Sequence, residues 1–258
     1  MRQLLLSFLC LALILPSGLL RADENQNYLD RSQRAEKWVF EDLPRHIGND
    51  FKETFWNPWH FLALAGGAGL ILGVHQKDIE IQNSFQRNRP FGSTFDKVVN
   101  ISAEPLLLGG VALVTTGISK LAGSEKIALT SGTLLEALTL TEILTVGLKQ
   151  VTQRRRPDGS DHSSFPSGHA AGAFALASVA AIYYGPWAGI PSYALASLVG
   201  VVRIDSNKHF TGDVLAGALL GTLMGLGTAK FHKKEFSNFF IVPQVDEDSA
   251  GLALVQPF

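Results

Sequence analysis

An all-α fold, an antiparallel bundle of about six helices, is predicted for this 258-residue chain from two patterns and the lack of a third. Six apolar stretches recur between residues 59 and 229, rich in Ala, Gly, Leu and Thr and longer than ordinary strands. Small residues fall at close spacing, as in Ala171-Gly172-Ala173 and Ala216-Gly217-Ala218, which suits tight contact between helix backbones. No period-two alternation competes with them before the C-terminal tail.

The chain opens with Arg2, an apolar run over 4–15, and a break at Pro16-Ser17-Gly18 ahead of Ala22 and Asp23-Glu24. This reads as a secretory signal peptide over 1–22, or as an uncleaved anchor, since Leu20 rather than a small residue precedes Arg21-Ala22. The single cysteine, Cys10, lies inside this run, so a cleaved chain has no thiol for disulfides or metal sites. Residues 23–56 mix acidic and basic residues with Trp38, Phe40, Phe51, Phe55 and Trp56, the composition of a polar segment at an interface.

The six stretches, 59–74, 105–118, 127–148, 170–184, 190–202 and 214–229, build one domain over 57–234. A membrane span needs about 20 apolar residues, and several of these are shorter. Glu136 and Glu142 interrupt the third, which a helix tolerates when they face the bundle interior. An integral membrane bundle is favoured over a soluble periplasmic one. The tail, 235–258, changes character: Phe239-Phe240-Ile241-Val242 and Gly251-Leu252-Ala253-Leu254-Val255 are suited to a short hairpin or a loosely docked end. The terminal Phe258 is similar to outer-membrane strand endings, but one strand makes no barrel.

Net charge is −1, and the basic residues cluster rather than form stripes, which argues against nucleic acid as a partner; nothing points to a protein partner either. The cluster belongs to three blocks: K-Q-V-T-Q-R-R-R-P over 149–157, F-P-S-G-H over 165–169, and V-R-I-D-S-N-K-H-F-T-G-D over 202–213. Three cations, Lys149, Arg156 and Arg203, can neutralise a phosphate dianion, while His169 and His209 can supply a nucleophile and a proton donor. Each residue has an ordinary explanation alone. Arg154-Arg155-Arg156-Pro157 is a helix stop with a basic flank, and Ser167 and Asp213 are N-cap types. Ten positions in one order, with apolar helices between them, are not explained that way.

The blocks resemble those of the type 2 phosphatidic acid phosphatase (PAP2) family, which shares its fold with acid phosphatases and vanadium haloperoxidases. Its patterns are K-x6-R-P, P-S-G-H and S-R-x5-H-x3-D, and the chain departs from them at Val202, where a serine is usual. The likeness covers roughly 57–230. It implies that His209 attacks phosphorus and carries a phosphohistidine, that Asp213 orients His209, and that His169 protonates the leaving oxygen and then activates water. Lys149, Arg156, Arg203, the Ser167 hydroxyl and the backbone N–H groups of Ser167 and Gly168 would hold the phosphate. For Asp213 to reach His209, residues 208–213 must make one helical turn. The scheme calls for no metal or other cofactor. Arg154, Arg155 and His162 stay outside the predicted set, and His46, His60, His75 and His232 match no motif.

The leading expectation is therefore a metal-independent phosphatase acting on a lipid phosphate or pyrophosphate. A soluble broad-specificity periplasmic acid phosphatase, a vanadium haloperoxidase and a non-enzymatic envelope protein are the alternatives. The three blocks should meet on one face of the bundle, because a polar loop joins the first two and a helical hairpin turning at Gly185-Pro186 separates the last two. If the leader is exported and all six stretches span, parity puts the site on the cytoplasmic side; under that same premise an inner-membrane site facing the periplasm, the favoured reading, follows when the weak stretch 59–74 lies in the interface or packs without crossing.

Overall fold

The protein is described by a computed structural model over residues 58–122, 124–237, 240–246 and 249–255. The leader and the 23–56 segment lie outside the described residues.

Among the described residues eight helices follow in order: α1 (Pro58–His75), α2 (Asp78–Asn88), α3 (Ser93–Ser102), α4 (Pro105–Leu121), α5 (Glu125–Thr152), α6 (Gly168–Tyr184), α7 (Pro186–Asp205) and α8 (Thr211–Ser237). The fold is helical, as expected, and each of the six apolar stretches is a helix. The short α2 and α3 were not anticipated. A two-stranded antiparallel ribbon closes the chain, β1 (Phe240–Asp246) against β2 (Ser249–Val255), with Phe240 opposite Val255 and Asp246 opposite Ser249.

Local chemistry sets the boundaries. Pro105 and Pro186 open α4 and α7, where a missing N–H costs no helical bond. Between α6 and α7 the chain reverses at Gly185, whose φ of 76° lies where a side chain would be strained. At the end of α5, Gln153 adopts a left-handed conformation and its N–H bonds the carbonyl of Lys149.

Helix α6 sits at the centre, packed by α8, α7 and α5; α4 lies on α5. The α6–α8 contact is the most extensive because α8 carries Gly217, Gly221 and Gly225 four residues apart, on one face. A Cβ on Gly217 would lie 2.3 Å from the carbonyl oxygen of Ser167, and one on Gly221 2.0 Å from that of Ala171. Glycine is what lets the two backbones touch. Hydrogen bonds between side chains then fix the partners: Thr116 to Ser131 (α4–α5, 2.9 Å), Thr133 with Tyr183 (α5–α6, 2.9 Å) and Ser178 with Tyr193 (α6–α7, 2.7 Å). Glu136 faces the interior, as expected, where its carboxylate meets His232 Nε2 at 2.7 Å, joining α5 to α8.

Helix α1 runs antiparallel to α8. Leu64 packs against the cluster of Leu140, Leu223 and Met224, and at its other end His75 lies beside Asp78, which binds the N–H of Gly212. It therefore follows α8 along its length, where the sequence suggested a stretch lying in an interface or packing without crossing.

Outward faces are apolar: Leu72, Leu106, Val111, Ile118, Trp187, Ile190 and Leu195 are all exposed. Three helical segments, Lys126–Thr152, Pro186–Asp205 and Thr211–Lys233, are long and apolar enough to cross a membrane, and α3 with α4, bent by 47°, would make a fourth. An exterior of this kind belongs in lipid, and the chain is a membrane protein.

Candidate active site

The three blocks converge at one end of the bundle. Lys149 lies in the last turn of α5, residues 153–167 form a loop, Ser167 is the N-cap residue of α6, and Arg203 lies in the last turn of α7. A Cβ placed on Gly168 would lie 3.8 Å from Lys149 Nζ, so the ammonium is beside the N-terminus of α6. That helix end offers unpaired N–H groups and positive potential, which suits an anion.

Among the buried polar atoms without a hydrogen-bond partner in the described residues are the Ser167 hydroxyl and Arg203 Nε. Such donors cost about 1–3 kcal/mol each unless something accepts from them, and phosphate oxygens do. The Ser167 N–H, by contrast, is spent. It donates to the carbonyl of Asp213 at 3.0 Å, pinning the α6 N-terminus to α8, so the expected pair of backbone donors reduces to Gly168 and the N–H groups after it. Arg156 is steadied from the side, donating from Nε to Asp161 at 2.7 Å and from a terminal nitrogen to the Ser163 hydroxyl at 3.0 Å.

His209 is 1% exposed, in the turn between α7 and α8. Its Nδ1 lies 2.7 Å from the carbonyl oxygen of Ser164. A carbonyl only accepts, so Nδ1 carries the proton and Nε2 keeps its lone pair in the neutral ring. That is the tautomer a nucleophile needs.

The expected contact between Asp213 and His209 is corrected by the structure. Residues 206–210 turn instead of making a helical turn, with both Lys208 and His209 donating N–H to the Arg203 carbonyl, and α8 begins only at Thr211. Asp213 consequently caps that helix: one oxygen accepts from the Phe210 N–H (2.9 Å) and from the Ser164 hydroxyl (2.5 Å), the other from Arg154 (2.6 Å). Its link to His209 passes through Ser164, whose hydroxyl binds Asp213 and whose carbonyl binds the imidazole.

Arg154 is likewise more than a flank. It bridges Asp213 and Asp78, donating to the latter at 2.8 Å, with its guanidinium 4.4 Å from the centre of the Phe210 ring. His162 is exposed and its Nδ1 lies 3.1 Å from the Gln153 carbonyl oxygen.

His169, second residue of α6, has Nε2 3.1 Å from both the Asn100 carbonyl and a Glu104 carboxylate oxygen. Asn100 also accepts from Arg203 through its side-chain oxygen. Helix α2 supports the opposite side: Gln82 donates to the Ile204 carbonyl (2.9 Å) and to Asn207 (2.7 Å), and Gln86 to the Asp205 carbonyl (3.0 Å). Asp78, Gln82, Asn100 and Glu104 were all missed from sequence. They lie in 75–104, which carries neither a strong apolar period nor a motif, and a polar face on a short helix was the one signal available.

Burial pushes the His209 pKa well below the usual imidazole value, and the guanidinium charges of Arg203 and Arg156 act in the same direction. A lowered imidazole pKa means the neutral ring persists as pH falls. The His209 ring is accordingly expected to show no titration between about pH 8 and pH 6, followed by NMR of labelled histidine; a midpoint at roughly 6.5, the unperturbed value, would contradict this environment.

Residues 131–237, which contain all three blocks, match the PAP2 superfamily. This segment is a PAP2 superfamily domain. A lipid A 1-phosphatase of Porphyromonas gingivalis is 47% identical over 75 residues, which are 28% of this chain. The match spans 17% of that curated relative's length. The crystal structure of a transmembrane PAP2 type phosphatidylglycerolphosphate phosphatase from Bacillus subtilis superposes with a TM-score of 0.52 at 20% identity, covering 67% of this chain and 96% of that one. LpxE of Aquifex aeolicus superposes with a TM-score of 0.47 at 25% identity, over 59% of this chain and 94% of the other. The likeness to the Bacillus enzyme is one of fold, and it extends beyond the matched segment.

Proposed function

We propose that the PAP2 domain hydrolyses phosphate monoesters or pyrophosphates of lipids through a phosphohistidine on His209. The observation that carries this reading is a buried imidazole held as the Nδ1–H tautomer among Lys149, Arg156 and Arg203 at the N-terminus of α6. His209 Nε2 attacks phosphorus in line as the bond to the leaving oxygen breaks, and His169 gives that oxygen its proton. Water then attacks the phosphohistidine, His169 takes the proton back, and inorganic phosphate leaves with neutral His209 restored. The three cations and Ser167, with Gly168 N–H, hold the non-bridging oxygens throughout. In this scheme side-chain cations do the charge neutralisation, so no metal is assigned.

The apolar exterior supports a lipid substrate over a soluble one, because the site opens at one end of helices whose outer faces suit hydrocarbon. The lipid A 1-phosphatase relative makes lipid A phosphate the first candidate. Phosphate release measured in detergent and chelator, across lipid A, phosphatidic acid, polyprenyl pyrophosphate and aryl phosphates, is expected to favour a lipid, with competitive inhibition by vanadate. Preference for the aryl phosphates would support a broad-specificity acid phosphatase, and bromide oxidation by the vanadate-loaded protein a haloperoxidase.

We also infer a periplasmic site. Lys120, Lys126, Lys230 and Lys233 sit near the ends of α4, α5 and α8 that lie away from the site, which favours that end for the cytoplasm. With α1 antiparallel to α8, residue 58 then falls on the cytoplasmic side. A reporter fused after residue 234 should fluoresce as a cytoplasmic protein, and alkaline-phosphatase activity there would reverse the orientation.

A further inference from the structure

We propose that Asp78 and Arg154 are positioning residues for His209, acting through Asp213 and Ser164, so that a helix outside the three blocks controls the nucleophile. The proposal rests on the reading of His209 as nucleophile.

Arg154 uses two different nitrogens. One donates to Asp213 at 2.6 Å and the other to Asp78 at 2.8 Å, and both carboxylates are essentially buried. Two buried carboxylates near one another repel, and the guanidinium between them is what makes the arrangement tolerable. A lysine cannot replace that fork, because a single ammonium does not span two acceptors in fixed directions. Asp213 in turn accepts from Ser164, and the carbonyl of that same Ser164 receives Nδ1–H of His209. Thus the loop residue that sets the imidazole tautomer is oriented by a carboxylate, which is oriented by an arginine, which is oriented by Asp78.

Asp78 makes a second connection. Its other oxygen accepts the Gly212 N–H at 2.8 Å, in the first turn of α8 and three residues after His209. The fit is close: a Cβ on Gly212 would lie 3.0 Å from the Asp78 carboxylate. Asp78 therefore grips the nucleophile's loop from both sides, through Arg154 on one and the backbone on the other. Arg154 itself has its charge matched by two carboxylates and its plane near Phe210, so it is committed to this network rather than to a phosphate oxygen.

The test is Arg154→Gln and Asp78→Asn in the full-length protein in detergent, with kcat expressed per phosphoenzyme burst so that misfolded molecules are not counted. Arg154→Gln is expected to lower kcat by about 10- to 100-fold with KM changed less than about threefold, the range for residues that orient a ligand from behind. Arg154→Lys should recover a fraction of this. The double variant should be no slower than Arg154→Gln alone, since both substitutions break one chain. NMR of the histidine ring nitrogens gives a readout independent of turnover: His209 should lose its uniform Nδ1–H tautomer in Arg154→Gln. Wild-type kcat per burst site or an unchanged tautomer overturns the proposal. Turnover surviving in His209→Ala would instead remove the phosphohistidine reading, and the ring-nitrogen spectra would still decide whether Arg154 orients His209.

Discussion

Replacing His209 by alanine is expected to lower phosphate release by about 10⁴-fold or more, on lipid and aryl phosphates alike, because the bond-forming atom is lost rather than a stabilising contact. The loss should fall on kcat. Lys149, Arg156, Arg203, Ser167 and the N-terminus of α6 remain, so vanadate or product phosphate should still bind within a few-fold of the wild-type affinity. The residue is buried, which raises the concern that alanine merely opens a cavity. His209→Gln answers it by keeping most of the volume and an acceptor near Nε2 while removing nucleophilicity. Both variants should also fail to take up label from radioactive substrate in a rapid quench, whereas the wild type should show an acid-labile, base-stable phosphoryl adduct. Turnover in chelator by either variant at more than about a hundredth of the wild-type rate would take the nucleophile's role away from His209 and with it the proposed reaction.

Legibility in the sequence follows the range over which each determinant acts. The six apolar helices and the Gly185-Pro186 reversal depend on composition and on residues adjacent in the chain, and all were readable. The convergence of Lys149, Ser167, Arg203 and His209 was readable too, because short loops leave the blocks little choice of position. The contact expected between Asp213 and His209 differs from the one observed for a physical reason. An i, i+4 relation brings two side chains together only inside a helix, and the chain is still turning at His209, where Lys208 and His209 both bond to Arg203. The same carboxylate finds better donors in Phe210 N–H, Ser164 and Arg154. Arg154 looked like flank because an arginine triplet before proline usually is one. Its assignment depends on Asp78, 76 residues away, and no local pattern announces such a pair. Asn100 and Glu104 were hidden likewise: their importance lies in reaching His169 across a bend of 47° between two helices.

Adding one methyl group at Gly221 should have the largest structural effect of any single small substitution in the domain. A Cβ there would lie 2.0 Å from the carbonyl oxygen of Ala171, 2.8 Å from its carbonyl carbon and 3.0 Å from its Cα. A carbon approaches a carbonyl oxygen no closer than about 3.3 Å, so the helices would have to part by roughly 1 Å. No rotamer relieves the clash, since both sides are main chain and the Ala171 carbonyl belongs to the hydrogen-bonded core of α6. Overpacking of this kind costs typically about 1–3 kcal/mol, and the upper end or beyond is expected where backbone meets backbone. The consequence reaches the site because the same α6–α8 contact carries the Ser167 N–H to Asp213 carbonyl bond that holds the N-terminus of α6 beside the third block. Gly221→Ala should therefore lower the melting temperature in detergent by several degrees and lose most phosphate release, with Gly221→Val failing to accumulate as folded protein. Gly147→Ala is the matched control: it lies in a helix, meets nothing within 4 Å, and should melt at or slightly above the wild type because alanine restricts the unfolded chain. If Gly221→Ala melts with the control, α6 and α8 do not approach as closely as their backbones do here, and the means by which the second and third blocks are brought together would have to be sought elsewhere in the bundle.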